Sequence, residues 1–434
     1  MTTMGNLALF GGKKTIARPF RTYNSIGAEE LQAASAVISS GVLSRFLGCR
    51  DADFYGGPKV LEFERDAASY FGVKHAITVN SWTSGLIAAI GAIGIEPGDE
   101  VIVTPWTMSA TATAIIHWNA IPVFADIDPD TYNLDPASIE ANITPHTRAI
   151  MVADIFGMSA DMDAIMAIAD KHNLKVISDT AQAPGARYRN RHAGTIAHIG
   201  GYSLNYHKHI HTGEGGIIVT DDDTLAERLR LIRNHAEVVI ADTPDTPDHE
   251  LCNMIGYNFR LGEIECAIGI EQLKKLQGFV ETRQALAAML TNGLQGLAGL
   301  KTPVVPPDRT HVYYVYPMQL DTRTLGIDRN LIADALAAEG VTVSRQYQNI
   351  HLLPMYQRKQ AYGTHGFPWS APFCKRDINY AKGICPVAEQ LHDQSFIGYE
   401  MCVHDHDTDD MNLIVAAFRK VWDNLDTLRH HARK

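Results

Sequence analysis

The chain has 434 residues, 46% of them hydrophobic and 20% charged, with a formal net charge of −11. That composition belongs to a globular protein, is long for a single core, and argues against nucleic acid or an anionic membrane surface as the main partner. An anionic small substrate stays open, because a site can be locally positive on an acidic protein.

Residues 1–6 lack the basic start and long apolar core of a signal peptide, and no run approaches 18 apolar residues, so a cytoplasmic location without a membrane span is expected. The six cysteines (Cys49, Cys252, Cys266, Cys374, Cys385 and Cys402) have no CxxC spacing and read as free thiols.

From about 75 to 222, short runs rich in Val and Ile alternate with helical patterns. The runs are 76–79, 101–105, 121–127, 149–156, 175–179, 200–204 and 216–220. Each is apolar on both faces, as strands buried in a mainly parallel sheet are. Helices are expected at 161–172, with Ile165, Ile168 and Ala169 on one face, and at 225–235 through Leu225, Leu229 and Ile232. The stretch 238–250 (VVIADTPDTPDHE) reads as an exposed polar loop. A long connecting helix follows over 262–294, then a proline-rich joint at 302–307. Next come a strand at 312–320, a helix at 330–338, a strand at 341–345 and an amphipathic helix at 411–425. The pattern predicts two domains: 1–294, an α/β unit with an N-terminal arm and the connecting helix, and 295–434, a smaller α+β unit.

Two segments carry the chemistry. SLNYHK at 203–208 runs into the glycine-rich GEGG at 213–216, and ISDTAQ at 177–182 puts Asp179 at the end of an apolar run. Pyridoxal phosphate (PLP) chemistry needs such a pair: a lysine amine that holds the aldehyde as a Schiff base, and a carboxylate that keeps the pyridine nitrogen protonated. Lys208 and Asp179 are the candidates. Ser81, Thr83 and Ser84 stand between a strand and an apolar helix, where free N–H groups and the helix dipole favour an anion. His207, His209 and His211 alternate along an extended segment and HDHD occupies 404–407, but a pocket-facing histidine and a solvated helix entry account for them, so no metal is expected.

Taken in order, GGPKVLEFE (56–64), VNSWTSGL (79–86), PGDEVIVTP (97–105), GMSADMD (157–163), SDTAQ (178–182), 203–216 and GYNFR (256–260) resemble the DegT/DnrJ/EryC1/StrS family of PLP-dependent sugar aminotransferases. The resemblance spans roughly residues 5 to 300. It implies the fold-type-I α/β architecture of aspartate aminotransferase, with a large, mainly parallel seven-stranded sheet domain and a smaller C-terminal domain. It also implies Lys208 as the Schiff-base lysine, Asp179 on the ring nitrogen, Gln182 near the ring oxygen, and Thr83, Ser84 and Ser203 on the phosphate. Asn258 would reach the phosphate of a partner subunit, which makes the protein a homodimer with shared sites. Tyr313, Tyr314 and His207 fall where the family approaches substrate. The implied reaction moves an amino group from glutamate or glutamine to a keto sugar, nucleotide-linked, in amino-sugar biosynthesis for a polysaccharide or secondary metabolite.

A keto-cyclitol acceptor is the nearest alternative. Dehydratases of the family carry histidine in place of the lysine, which Lys208 opposes. A non-catalytic PLP-binding regulator would show no turnover, and no DNA-binding helix pair is attached. Four departures stand out: Trp82 where glycine is common, Met108 where an aromatic usually covers the ring, Asp154 in place of histidine, and Ser178 in place of glutamate. Methionine sulfur can still pack on an aromatic face.

Overall fold

The structure is a computed structural model that describes residues 7–49, 51–237 and 254–433; the segment 238–250, expected as a loop, lies outside them. All seven expected runs form strands of one sheet. They are β1 (His75–Val79), β2 (Glu100–Val103), β3 (Ile121–Phe124), β4 (Thr147–Ala153), β5 (Lys175–Asp179), β6 (Ile199–Ser203) and β7 (Gly216–Thr220). Their order is β1-β7-β6-β5-β4-β2-β3, parallel except for β7, which runs antiparallel to both neighbours. Most strand residues are buried, as expected of a sheet covered on both faces.

Several strands end earlier than their apolar runs. The run at 121–127 pairs only to Phe124, and that at 149–156 only to Ala153. The remaining residues leave the sheet at its carboxyl edge but stay buried, so hydrophobicity alone does not mark the boundary.

The helices that matter for the site are α1 (Ala28–Ser40), α2 (Pro58–Phe71), α3 (Trp82–Ala92), α4 (Ser109–His117), α5 (Met162–His172), α6 (Asp223–Arg233) and α7 (Glu263–Leu294). Asp161 caps α5 and Asp222 caps α6, each side chain accepting from backbone N–H groups of the first turn. The 32-residue α7 joins two cores. Leu276 and Val280 pack with Phe63 and Leu204 of the sheet unit, whereas Leu286 and Leu290 pack with Leu336 and Phe418 of the C-terminal unit.

The C-terminal unit is a three-stranded antiparallel sheet, β8 (Leu300–Lys301), β9 (Val315–Leu320) and β10 (Phe396–Glu400), covered by α8 (Arg329–Glu339) and α9 (Thr408–Asp423). The strand expected at 341–345 does not form. Val341 and Val343 are buried in alternation, but only Ser344 pairs, as an isolated bridge to Gly398. The start of the N-terminal arm, expected with the first domain, packs on the second, while Tyr23 and Ser25 further along it bond to His209 and Gln272 of the first. Glu339 accepts from Ala8 N at 2.8 Å and Thr15 N at 3.0 Å, and Ile16 belongs to the C-terminal core. Among the described residues no helix is long and apolar enough to cross a membrane.

Candidate active site

Sheet register gathers the site. Gly216 pairs with both Val79 and Ser203, Gly201 with Asp179, and Asp179 with Ala153. The carboxyl ends of β1, β4, β5 and β6 and the start of β7 therefore form one row, the usual ligand-binding edge of an open α/β sheet. Above this row lies a cavity of about 320 Å³ whose wall includes Thr83, Asp179, Gln182, Ser203, Lys208 and Tyr314.

Lys208 sits on the loop between β6 and β7, in a turn closed by its own N–H donating to Asn205 O at 2.9 Å. Its side chain is buried and its Nζ lies 4.3 Å from the centre of the Tyr314 ring. Burial pulls the ammonium down to about 8, against the opposing pull of the Asp179 carboxylate. An amine in that range is partly neutral near physiological pH, as a nucleophile or proton carrier must be.

Asp179 is buried at the end of β5 and accepts hydrogen bonds from three directions. Trp82 Nε1 donates to Oδ1 at 2.7 Å, Ala181 N to the same oxygen at 3.2 Å, and Thr111 Oγ1 to Oδ2 at 2.7 Å. Thr107 Oγ1 lies 3.1 Å from Thr111 Oγ1 and extends the chain of hydroxyls.

Helix α3 begins at the cavity. Its N-cap is Ser81, whose Oγ accepts from Ser84 N at 3.0 Å. Helix geometry leaves the N–H groups of Trp82 and Thr83 without an intrahelical acceptor. Ser84 does not line the cavity: its hydroxyl donates to Asn80 Oδ1 at 2.7 Å. Ser81 and Thr83 line it instead, with Ser203 opposite.

Gln182 accepts from Phe156 N at 2.8 Å through Oε1 and donates to Tyr347 Oη at 3.1 Å through Nε2. The first bond holds Phe156 in a left-handed conformation (φ 58°) that non-glycine residues seldom adopt. Met108 lies at the cavity mouth and is 65% exposed. His207 lines the wall beside Tyr314. Burial, reinforced by the Lys208 charge, holds its imidazole below the usual range.

Two expected residues lie elsewhere. Tyr313 stacks on His311 at 4.1 Å and packs against the C-terminal core, off the cavity wall; it precedes β9 in a left-handed conformation (φ 52°) that separates it from Tyr314. Asn258 is exposed and does not line this chain's cavity; its carbonyl accepts from Asn80 Nδ2 at 3.4 Å. The three histidines of the lysine loop also diverge. His209 Nε2 pairs with Val312 O at 2.8 Å and His211 Nδ1 accepts from Gly213 N at 3.3 Å. Among the described residues no group of three or more His, Cys, Asp or Glu is arranged to hold a metal ion.

Two of the sequence departures are partners. Ser178 Oγ donates to Asp154 Oδ2 at 3.0 Å, beside Thr180 Oγ1 at 2.7 Å, and Ala160 N donates to Oδ1 at 3.0 Å. Burial lifts the Asp154 carboxyl to about 6, and these donors pull it the other way. Sequence reasoning missed Tyr347, Thr107 and Thr111 as site residues. Tyr347 lies 165 residues beyond Gln182 in no recognisable motif, whereas the i, i+4 spacing of Thr107 and Thr111 at the start of α4 was a usable signal.

The sequence and the fold have known relatives. Residues 27–389 match the DegT/DnrJ/EryC1/StrS aminotransferase family. The spore coat polysaccharide biosynthesis protein SpsC of Bacillus subtilis is 37% identical over 82% of this chain and 89% of its own length. The L-glutamine:2-deoxy-scyllo-inosose aminotransferase of Streptoalloteichus tenebrarius is 33% identical over 98% of both chains. Among solved structures, DesI in the presence of its TDP-sugar product superposes with a TM-score of 0.79 at 26% identity, over 99% of each chain. With a fold-type-I architecture and a lysine–aspartate cavity at the carboxyl edge of its sheet, the chain belongs to the DegT/DnrJ/EryC1/StrS family of PLP-dependent aminotransferases.

Proposed function

We propose that this aminotransferase moves an amino group from glutamate or glutamine to the ketone of a nucleotide-linked sugar, in the biosynthesis of an amino sugar. The observation that carries the reading is the buried Lys208 amine and the buried, donor-held Asp179 carboxylate on one cavity wall. The donor set suits PLP. A carboxylate offers about four acceptor positions, and Asp179 uses three, which leaves one for a protonated ring nitrogen. The start of α3, with Ser81, Thr83 and Ser203, suits a phosphate, and Lys208 suits the aldehyde.

When bound, the cofactor supplies an electron sink for the pair left by proton removal at the amino-bearing carbon. Lys208 anchors it, and once released its Nζ takes and returns that proton, a task suited to an amine that titrates near 8. Asp179 would pair with the ring nitrogen, and Gln182 with Tyr347 would hold the ring oxygen, while Tyr314 covers the Lys208 amine and His207 lines the same wall.

A homodimer is part of the reading. Ile26, Leu31, Ile38, Leu43, Leu47 and Leu61, on and around α1 and α2, are exposed apolar residues that a partner would cover. That partner would bring its own Asn258 to the phosphate.

Two relatives support the substrate class: SpsC, a polysaccharide biosynthesis protein, and DesI, solved with its TDP-sugar product. A second acceptor, a keto-cyclitol, is supported by the scyllo-inosose aminotransferase, which matches almost the whole chain. The test is amino transfer by the purified protein from glutamate and from glutamine to a panel of keto sugar nucleotides and to scyllo-inosose. Turnover with a nucleotide sugar upholds the first reading, turnover with the cyclitol alone replaces it with the second, and turnover with neither removes both.

A further inference from the structure

The indole of Trp82 fills a slot that glycine backbone leaves open. A Cβ at Gly201 would come within 2.1 Å of Trp82 Cζ3, and one at Gly85 within 2.6 Å of Cε3. Trp82 is the first residue of α3, yet its side chain turns toward the sheet and is only 5% exposed. Packing alone would be satisfied by any ring of this size. What distinguishes indole is its one polar atom, and that atom donates to Asp179 Oδ1 at 2.7 Å. A hydrogen bond to an ionised acceptor in a buried site is stronger than one between neutral groups.

We propose that Trp82 is a positioning residue for Asp179. It fixes the rotamer of the carboxylate, so that the one unused acceptor position faces the cofactor's ring nitrogen. This rests on the reading of Asp179 given above. The indole N–H and the Thr111 hydroxyl thus hold the carboxylate by both of its oxygens.

The experiment replaces only the N–H. Benzothienylalanine at position 82 keeps the ring shape and puts sulfur in place of the indole nitrogen; Trp82→Phe is the simpler second variant. Holoenzyme is prepared with cofactor labelled with nitrogen-15 in the ring, and the resonance of that nitrogen is read. The expected result is a shift from the pyridinium range toward neutral pyridine, with kcat/KM lowered about tenfold to a hundredfold, the range of one hydrogen bond to a charged group. A purely structural role would lower the melting temperature and leave the resonance in place, so an unmoved resonance overturns the proposal whatever happens to turnover. A folded variant that cannot retain the cofactor also overturns it, because Lys208 and the phosphate donors are untouched. Asp179→Asn is measured alongside. If it leaves the resonance unmoved, the reading of Asp179 itself falls; if it moves the resonance and the Trp82 variants do not, only the role of Trp82 falls.

Discussion

The sharpest consequence of the site concerns the free amine of Lys208 in the cofactor-free protein. Its pKa of about 8, against an ordinary value of 10.5, makes about a tenth of the amine neutral at pH 7, roughly 300 times the fraction of an exposed lysine. Reductive methylation of the apoprotein, followed at the Lys208 peptide by mass spectrometry, should rise with pH through a midpoint near 8. Asp179→Asn removes the charge that pulls the value up, so its midpoint should lie lower still. The same burial has a stability cost. Above pH 8 the unfolded chain holds a proton on Lys208 that the folded chain has released, so wild-type stability rises with pH up to about 10.5. Below pH 8 the penalty is complete, about 3 kcal/mol for the shift. Lys208→Met, similar in size and uncharged, should therefore be more stable than wild type in the apo form at pH 7. The difference should close between pH 8 and 10.5, as measured by urea denaturation at equal protein concentration. A methylation midpoint near 10.5, an upward shift in Asp179→Asn, or a stability difference that ignores pH would refute the account of this lysine.

Asp179→Asn should keep the fold and the cofactor but lose several decades of kcat, each decade being about 1.4 kcal/mol of transition-state stabilisation; near-normal turnover would mean that another group serves the ring nitrogen. Mixing inactive Asn258→Ala with inactive Lys208→Ala and letting subunits exchange should restore up to about half of native activity per heterodimer, because one site then carries both defects and the other neither. Exchange without recovery would place Asn258 in its own chain's site. Arg233 is fully buried and donates to Glu64, which also accepts from Thr78 N and Oγ1, each at 2.9 Å. Arg233→Met should cost about 3–5 kcal/mol in chemical denaturation by stranding the Glu64 carboxylate, and a loss below 1 kcal/mol would show that the site relaxes or admits water.

Sequence alone determined which segments enter the sheet and singled out the two groups on which the proposed chemistry rests. Seven β-rich runs, apolar on both faces, had no stable fate except a covered sheet, and helical periodicity between them set the α/β alternation. Lys208 and Asp179 were legible because a glycine-rich return and a strand-end carboxylate are local patterns. What the sequence left undetermined was everything that depends on which strand ends meet. The order that sets β7 between β1 and β6 brings Gly216 against both Val79 and Ser203, and with them the start of α3 onto the lysine loop. The same proximity turns Trp82 from an odd residue in a motif into a donor to Asp179, and makes Ser178 and Asp154 partners. Ser84 was assigned to the cavity by position, but its hydroxyl donates back to the Asn80 side chain, which leaves Ser81 and Thr83 at the wall. Tyr347 reaches Gln182 from the far side of α7, and no local pattern reports a contact between residues that distant. Hydrophobic period and turn chemistry act over a few residues and survive in sequence, whereas the pairing of side chains across a site is set by the packing of whole elements.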